Sequence, residues 1–215
     1  MYDRRLAAVA FAAAMLLAAC APATGPAADL AALDAPCAQD PPPTVAVVDF
    51  ANTTGTYGTT IVGVEDAATA RLITLMKASG CYVVVERSEL VNVMQRQGLE
   101  SLDPVELARA AGAGYVVTGA VTRGTIARPG ASVFGVSLGE TRAEVEVDVR
   151  ATDIITGEVV VSMTGAGRSS SPNVAVSAIP VAGLIRFDDP AVGPLLAEAA
   201  EQAVNQVVAA IRASF

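Results

Sequence analysis

The chain has 215 residues, 53% of them hydrophobic and 17% charged, with a formal net charge of −8 and neither histidine nor tryptophan. An acidic balance of this size argues against nucleic acid as a partner, and the lack of histidine removes the commonest general base and zinc ligand. The length suits one compact α/β domain, or such a domain with appended hairpins.

Asp3, Arg4 and Arg5 open the chain, Leu6 to Leu17 is an almost pure Ala/Leu/Val/Phe/Met run, and Leu17-Ala18-Ala19-Cys20 closes it. A charged start, a short apolar core and small residues before a cleavage point mark a secretion signal. The run is shorter than the ~20 residues that cross a bilayer as a helix. The closing residues resemble the bacterial lipobox, which implies a signal peptide over 1–19 and Cys20 as the lipidated N-terminus. The alternative is an ordinary cleaved signal with a chance cysteine. A lipobox cysteine carries a diacylglycerol and, in Gram-negative cells, an acyl chain on its amine. At ~0.8 kcal/mol per buried methylene, such an anchor holds a protein on the membrane essentially permanently. Ala21 stands where lipoproteins kept in the inner membrane often have Asp, so the expected address is the outer membrane, facing the periplasm. The mature chain would have 196 residues, 12 basic against 21 acidic, for a net charge of −9.

Residues 20–43 hold Pro22, Pro26, Pro36 and Pro41-Pro42-Pro43 among Ala, Thr and Asp, a composition that stays extended and reads as a tether. A single domain is expected over 44–215. Thr44 to Phe50 is a short β-branched run read as a buried strand. From Val62 the spacing turns helical through Ala67, Ala70, Ile73 and Lys77, with Gly80 as the stop. Cys81 to Val85 is a second strand. Ser88 opens a helix to Gln97, and Asp103-Pro104 opens another that ends at Gly112. Tyr115 to Val121 is a third strand. Alternating strands and helices imply parallel pairing. Cys37 and Cys81 each lie just upstream of a strand, and an oxidising compartment allows them to pair, a bridge being the favoured reading over two unpaired buried thiols.

The second half alternates differently. Ala143, Val145, Val147 and Val149 interleave with Glu144, Glu146, Asp148 and Arg150, the two-residue period of a strand with one dry and one wet face. Thr156-Gly157 turns the chain into a partner strand from Glu158 to Thr164. Past Pro190 a last helix places Leu196, Ala200, Ala203, Val207 and Ile211 on one face.

No catalytic constellation is spaced along this chain. Lys77 is the only lysine, and Gly55, Gly58 and Gly63 match neither the dinucleotide fingerprint nor the phosphate loop. The acidic stripe at 144, 146 and 148 reads as a solvated strand face. No enzyme activity, metal or cofactor is expected.

Val85-Glu86-Arg87-Ser88-Glu89-Leu90, the stretch Ala113-Gly114-Tyr115-Val116-Val117-Thr118-Gly119-Ala120-Val121, and Thr156-Gly157-Glu158-Val159 occur in an order that resembles the CsgG family of curli production assembly and transport components. Phe134-Gly135-Val136 and Ile185-Arg186-Phe187-Asp188 extend the resemblance, which covers roughly residues 44 to 212. It implies an outer-membrane lipoprotein with a three-layer α/β domain similar to anticodon-binding domains, a mixed sheet and an added antiparallel hairpin region. In the pore-forming members of that family a ring of subunits builds a shared barrel from two hairpins each, and a loop after the first strand forms the constriction. Other members are periplasmic lipoproteins without a pore.

Two functional expectations follow from the resemblance. One is an oligomeric secretion or fibre-anchoring component, with Asn52, Thr54 and Tyr57 on the constriction or partner loop and Phe134, Val136 and Leu138 facing the membrane from a hairpin over 122–142. The other is a non-pore adaptor that binds an envelope enzyme or assembly machine. The loop from Asn52 to Gly63 is short for a constriction. The span 168–189, the place for a second hairpin, contains Pro172 and Pro180, which weaken central strands.

Overall fold

The computed structural model describes residues 36–57, 59–97, 103–127, 130–133, 136–172 and 184–215. In chain order they form β1 (Thr44–Val47), β2 (Ala51–Asn52), a 3-10 turn at Thr54–Tyr57, β3 (Thr60–Val62), α1 (Val64–Ser79) and β4 (Val83–Val85). Then come α2 (Arg87–Gln97), α3 (Pro104–Ala110), β5 (Tyr115–Ala127), β6 (Gly130–Val133), β7 (Val136–Gly139), β8 (Thr141–Asp153), β9 (Val159–Ser171), β10 (Leu184–Arg186) and α4 (Gly193–Ser214).

The product is a mixed α/β fold with a six-stranded mixed sheet and four helices among the described residues. Strand order is β4-β1-β5-β8-β9, with β2 also on β5. The first half pairs in parallel, Val45 on Tyr115 and Thr44 on Val83. The second half is an antiparallel meander, β5 on β8 and β8 on β9. The change of pairing follows the connections: helices return the chain between β1, β4 and β5, whereas the turn at Thr156-Gly157 reverses it directly. Gly157 takes φ +74°, the left-handed geometry such a turn needs.

Helices cover both faces. Val45, Val47, Val117, Val121 and the odd-numbered residues Ala143 to Ala151 bury under α1 and α4. Ala46 and Val116, pointing the other way, bury under α2 and α3 with Leu90, Val93 and Leu107. The last helix uses the face its period predicts: Leu196, Ala200, Ala203, Val207 and Ile211 are all buried. The helical spacing from Ala67 through Lys77 marks α1 but not its buried face, which is Val64, Ala68, Leu72, Leu75 and Met76. Ser88 lies inside the first turn of α2 rather than capping it.

The strand expected from Glu158 to Thr164 runs on to Ser171. Gly165 and Gly167 continue it because α4 lies against them: a Cβ at Gly165 would sit 2.1 Å from the Ala203 carbonyl oxygen, and one at Gly167 would sit 1.8 Å from that of Ala199. Gln206 on α4 accepts from Ala166 N (3.1 Å) and donates to Ala166 O (2.8 Å), while Gln202 accepts from Arg168 N (3.2 Å). Two side chains one helical turn apart thus occupy the backbone groups that an edge strand leaves open.

Candidate functional surfaces

Three regions stand out from the scaffold: the loop after β2, the long hairpin from β5 to β8, and the end of the sheet where the parallel strands begin.

The loop is pinned down from within. Asn52 Nδ2 donates to Ile61 O (2.6 Å) and to Glu65 Oε2 (2.7 Å), and Asn52 Oδ1 accepts from Thr54 N (3.1 Å) and Thr54 Oγ1 (2.7 Å). Thr54 Oγ1 in turn accepts from Ile61 N (3.0 Å), and Thr54 is 1% exposed. Ile61 is buried over β5, where Gly124 leaves the space: a Cβ there would lie 2.3 Å from Ile61 Cδ1. Gly119 does the same for the ring of Phe50. The polar groups of Asn52 and Thr54 therefore hold the loop together, and β10 extends it by pairing in parallel with β3. Tyr57 lies in the 3-10 turn.

The hairpin keeps one register over its outer length, Ala127 opposite Arg142, Gly130 opposite Gly139, and Val133 opposite Val136. A bulge between Val121 and Arg123 marks where it leaves the core. Val136 and Leu138 lie on β7 opposite Val133 and Ala131, and nearer the domain the even-numbered side of β8 carries Arg142, Glu144, Glu146 and Asp148. Phe134 and Cys20 lie outside the described residues.

That side of the sheet is a lattice of ion pairs. Arg123 meets Glu146 (3.1 Å), Arg168 meets Glu144 (3.0 Å) and Arg142 meets Glu140 (2.9 Å). Thr164 Oγ1 donates to Asp148. The hydroxyl of Ser170, and next the Arg142 guanidinium, hold the Glu140 carboxyl below the usual range. Within the acidic stripe of β8, Glu144 and Glu146 are paired with arginines from the flanking strands, and Asp148 accepts from the Thr164 hydroxyl. Exposed pairs of this kind contribute little each to stability.

In the span 168–189, the place expected for a second hairpin, Arg168 to Ser171 belongs to β9, Leu184 to Arg186 forms β10, and Ile185 is buried, while 173–183 lie outside the described residues.

At the start of the parallel strands, Cys37 and Cys81 are joined by a disulfide with Cα atoms 5.2 Å apart. Gln39 donates to the Tyr115 hydroxyl (3.2 Å), Tyr115 stacks on Phe215 at 4.3 Å, and Tyr82 meets Phe215 edge-on at 5.7 Å. The last residues of the tether are thereby fixed to the base of the sheet. Among the described residues no helix is long and apolar enough to cross a membrane, and no group of three or more metal-ligating side chains is gathered. Sequence reasoning missed the contact of Gly165 and Gly167 with Gln202 and Gln206. Its signal was the pair of glycines two apart on one strand and the two glutamines four apart on one helix.

A parallel β4-β1-β5 half, continued into a projecting antiparallel hairpin and flanked by helices on both faces, defines the class of this domain. The chain belongs to the CsgG family, described as curli production assembly/transport component CsgG, which matches residues 27–215. No curated protein matches the sequence. Among solved structures it is similar to lipoprotein GNA1162 from Neisseria meningitidis, with 17% identity, TM-score 0.47, and 63% of this chain and 89% of that one covered. It is also similar to the PelC dodecamer from Paraburkholderia phytofirmans, with 21% identity, TM-score 0.43, and 80% and 90% covered. The C-terminal domain of LpoB from Escherichia coli aligns with 21% identity, TM-score 0.40, and 58% and 81% covered. Likenesses this distant carry no weight for function.

Proposed function

We propose that the protein is a lipid-anchored envelope component of a CsgG-type assembly or transport machine, held by Cys20 on the periplasmic face of the outer membrane. In this reading it works as an adaptor that presents its hairpin to a partner and does not span the membrane with it. The family supports the assembly role, and the layering of helices on both faces of a mixed sheet suits the anticodon-binding-like domain that the family resemblance implies. The observation that carries the non-spanning part is charge. The strand side that would face lipid runs directly into Glu140, Arg142 and Glu144, and charge on that side is costly.

One observation favours the alternative, an oligomeric secretion pore: the hairpin stays in register to its outermost described pair, Val133 and Val136. The two readings separate in one experiment. The lipidated protein is extracted in detergent, sized by light scattering and negative-stain imaging, and tested for conductance in planar bilayers. The adaptor reading expects no conductance at any size of assembly. Rings with discrete conductance steps would overturn it and establish the pore.

A further inference from the structure

We propose that the helix-free side of strands β5, β8 and β9, centred on Arg150, is a docking face for a segment of a partner protein that carries a carboxylate among apolar residues. This deepens the adaptor reading and rests on it. The first observation concerns charge. Among the described residues Arg150 is the one basic side chain with no partner inside the molecule. Lys77 is taken by Glu86, Arg87 by Asp49, and Arg109 by the Ile154 carbonyl. The carboxylates that follow on the same side of β8 are engaged as well: Asp148 accepts from the Thr164 hydroxyl, and Glu146 is paired with Arg123. An unpaired guanidinium among charges that are already paired is where a partner's carboxylate gains most, because it displaces no existing ion pair.

The second observation is the setting. Arg150 stands in a row with Thr118 on β5 and Ser162 on β9, so a hydroxyl flanks the guanidinium on each neighbouring strand. That row crosses two strand spacings of ~4.8 Å, about 10 Å, which three residues of extended chain can span. The row below it runs from Val116 through Thr152 to Val159. Val116 is buried with residues of α2 and α3, whereas Val159 is 48% exposed. The helical cover therefore ends before β9, and Arg150 and Ser162 are exposed beside that margin. The turn after β8 adds Ile155, 87% exposed, in a loop that Asp153 fixes by accepting from Ile155 N (2.7 Å) and Thr156 N (3.0 Å). An arginine beside exposed aliphatic side chains is the composition found at the centre of protein interfaces. The same surroundings select the occupant. A polyanion, whether nucleic acid or an anionic lipid surface, would meet Asp148, Glu146 and a net charge of −8. A single carboxylate with apolar neighbours meets the guanidinium, the two hydroxyls and Val159.

The test puts the photo-crosslinking residue p-benzoylphenylalanine at position 162, or at the exposed position 197 on α4 as a control, in the full-length lipidated protein in intact cells. The captured peptide is sequenced by mass spectrometry. Position 162 should capture a peptide of another protein in which Asp or Glu sits among apolar residues, and position 197 should not. Arg150→Gln, at an exposed site, should lower that adduct about ten-fold, the loss typical of a central interface arginine, with the circular dichroism spectrum unchanged. Arg150→Glu combined with the captured carboxylate changed to Arg should restore it. No adduct, an adduct that survives Arg150→Gln, or capture of a lipid, of a second copy of this chain or of a peptide without a carboxylate would overturn the docking face and leave the adaptor reading standing. Rings with discrete conductance steps in planar bilayers would overturn the adaptor reading, and the docking face with it.

Discussion

Tyr82 shows how one residue ties the end of the chain to the sheet. It is buried, its hydroxyl donates to Phe215 O at 3.0 Å, and its ring packs edge-on against the Phe215 ring. Burial pushes the Tyr82 hydroxyl up to about 12, against the pull of Arg212. Replacing it as Tyr82→Phe keeps the ring but leaves the Phe215 oxygen without this donor, at a cost of about 1 kcal/mol in urea unfolding at neutral pH. The folded-state value lies above the unfolded one of ~10, so the stability tied to the neutral hydroxyl is complete below pH 10 and is lost as pH rises towards 12. Over that window the Phe variant should lose less stability than the parent. The same scale marks the limit of sequence reading. Asn52 and Thr54 stand in a polar, glycine-containing stretch that reads as a surface loop, yet both spend their hydrogen-bonding groups inward. Polarity records that a side chain needs a partner, not whether that partner is solvent, another protein or the next turn of the same loop.

Between elements, the tightest constraint is the seat of α4 on β9. The helix backbone comes so close to Gly167 that any Cβ must displace the Ala199 carbonyl or lift the helix. Gly167→Ala should therefore destabilise the domain by about 1–3 kcal/mol, the range for overpacking a close contact, read as a shift of the denaturant midpoint. Ala166→Ser, on the opposite side of the same strand and exposed, should stay within about 0.5 kcal/mol of the parent. The contrast is what makes the test specific to the helix contact. It also explains why the end of β9 was illegible. Gly, Ala and Ser carry weak strand propensity, so Gly165 to Ser171 looks like a break, and only its pairing with β8 and the helix seated on it make it a strand. The period of α4 needed no such context. Its apolar residues recur at helical intervals over 22 positions, enough to fix both element and face.

At the scale of the molecule, the succession of strands and helices in the first half was readable because Gly, Pro and Asp stand near several of its element boundaries, whereas the height of the hairpin was not, since nothing in its local pattern states where the core stops. The disulfide joins these levels. It closes a 44-residue separation across β1 and α1, for which the chain-entropy model gives about 4 kcal/mol as an upper figure. Reduction, or Cys37→Ser, should lower the unfolding temperature in a calorimetric scan, and added reductant should then have no further effect on the variant. The fold itself should persist, because the core clusters are built on residues from Val45 onwards.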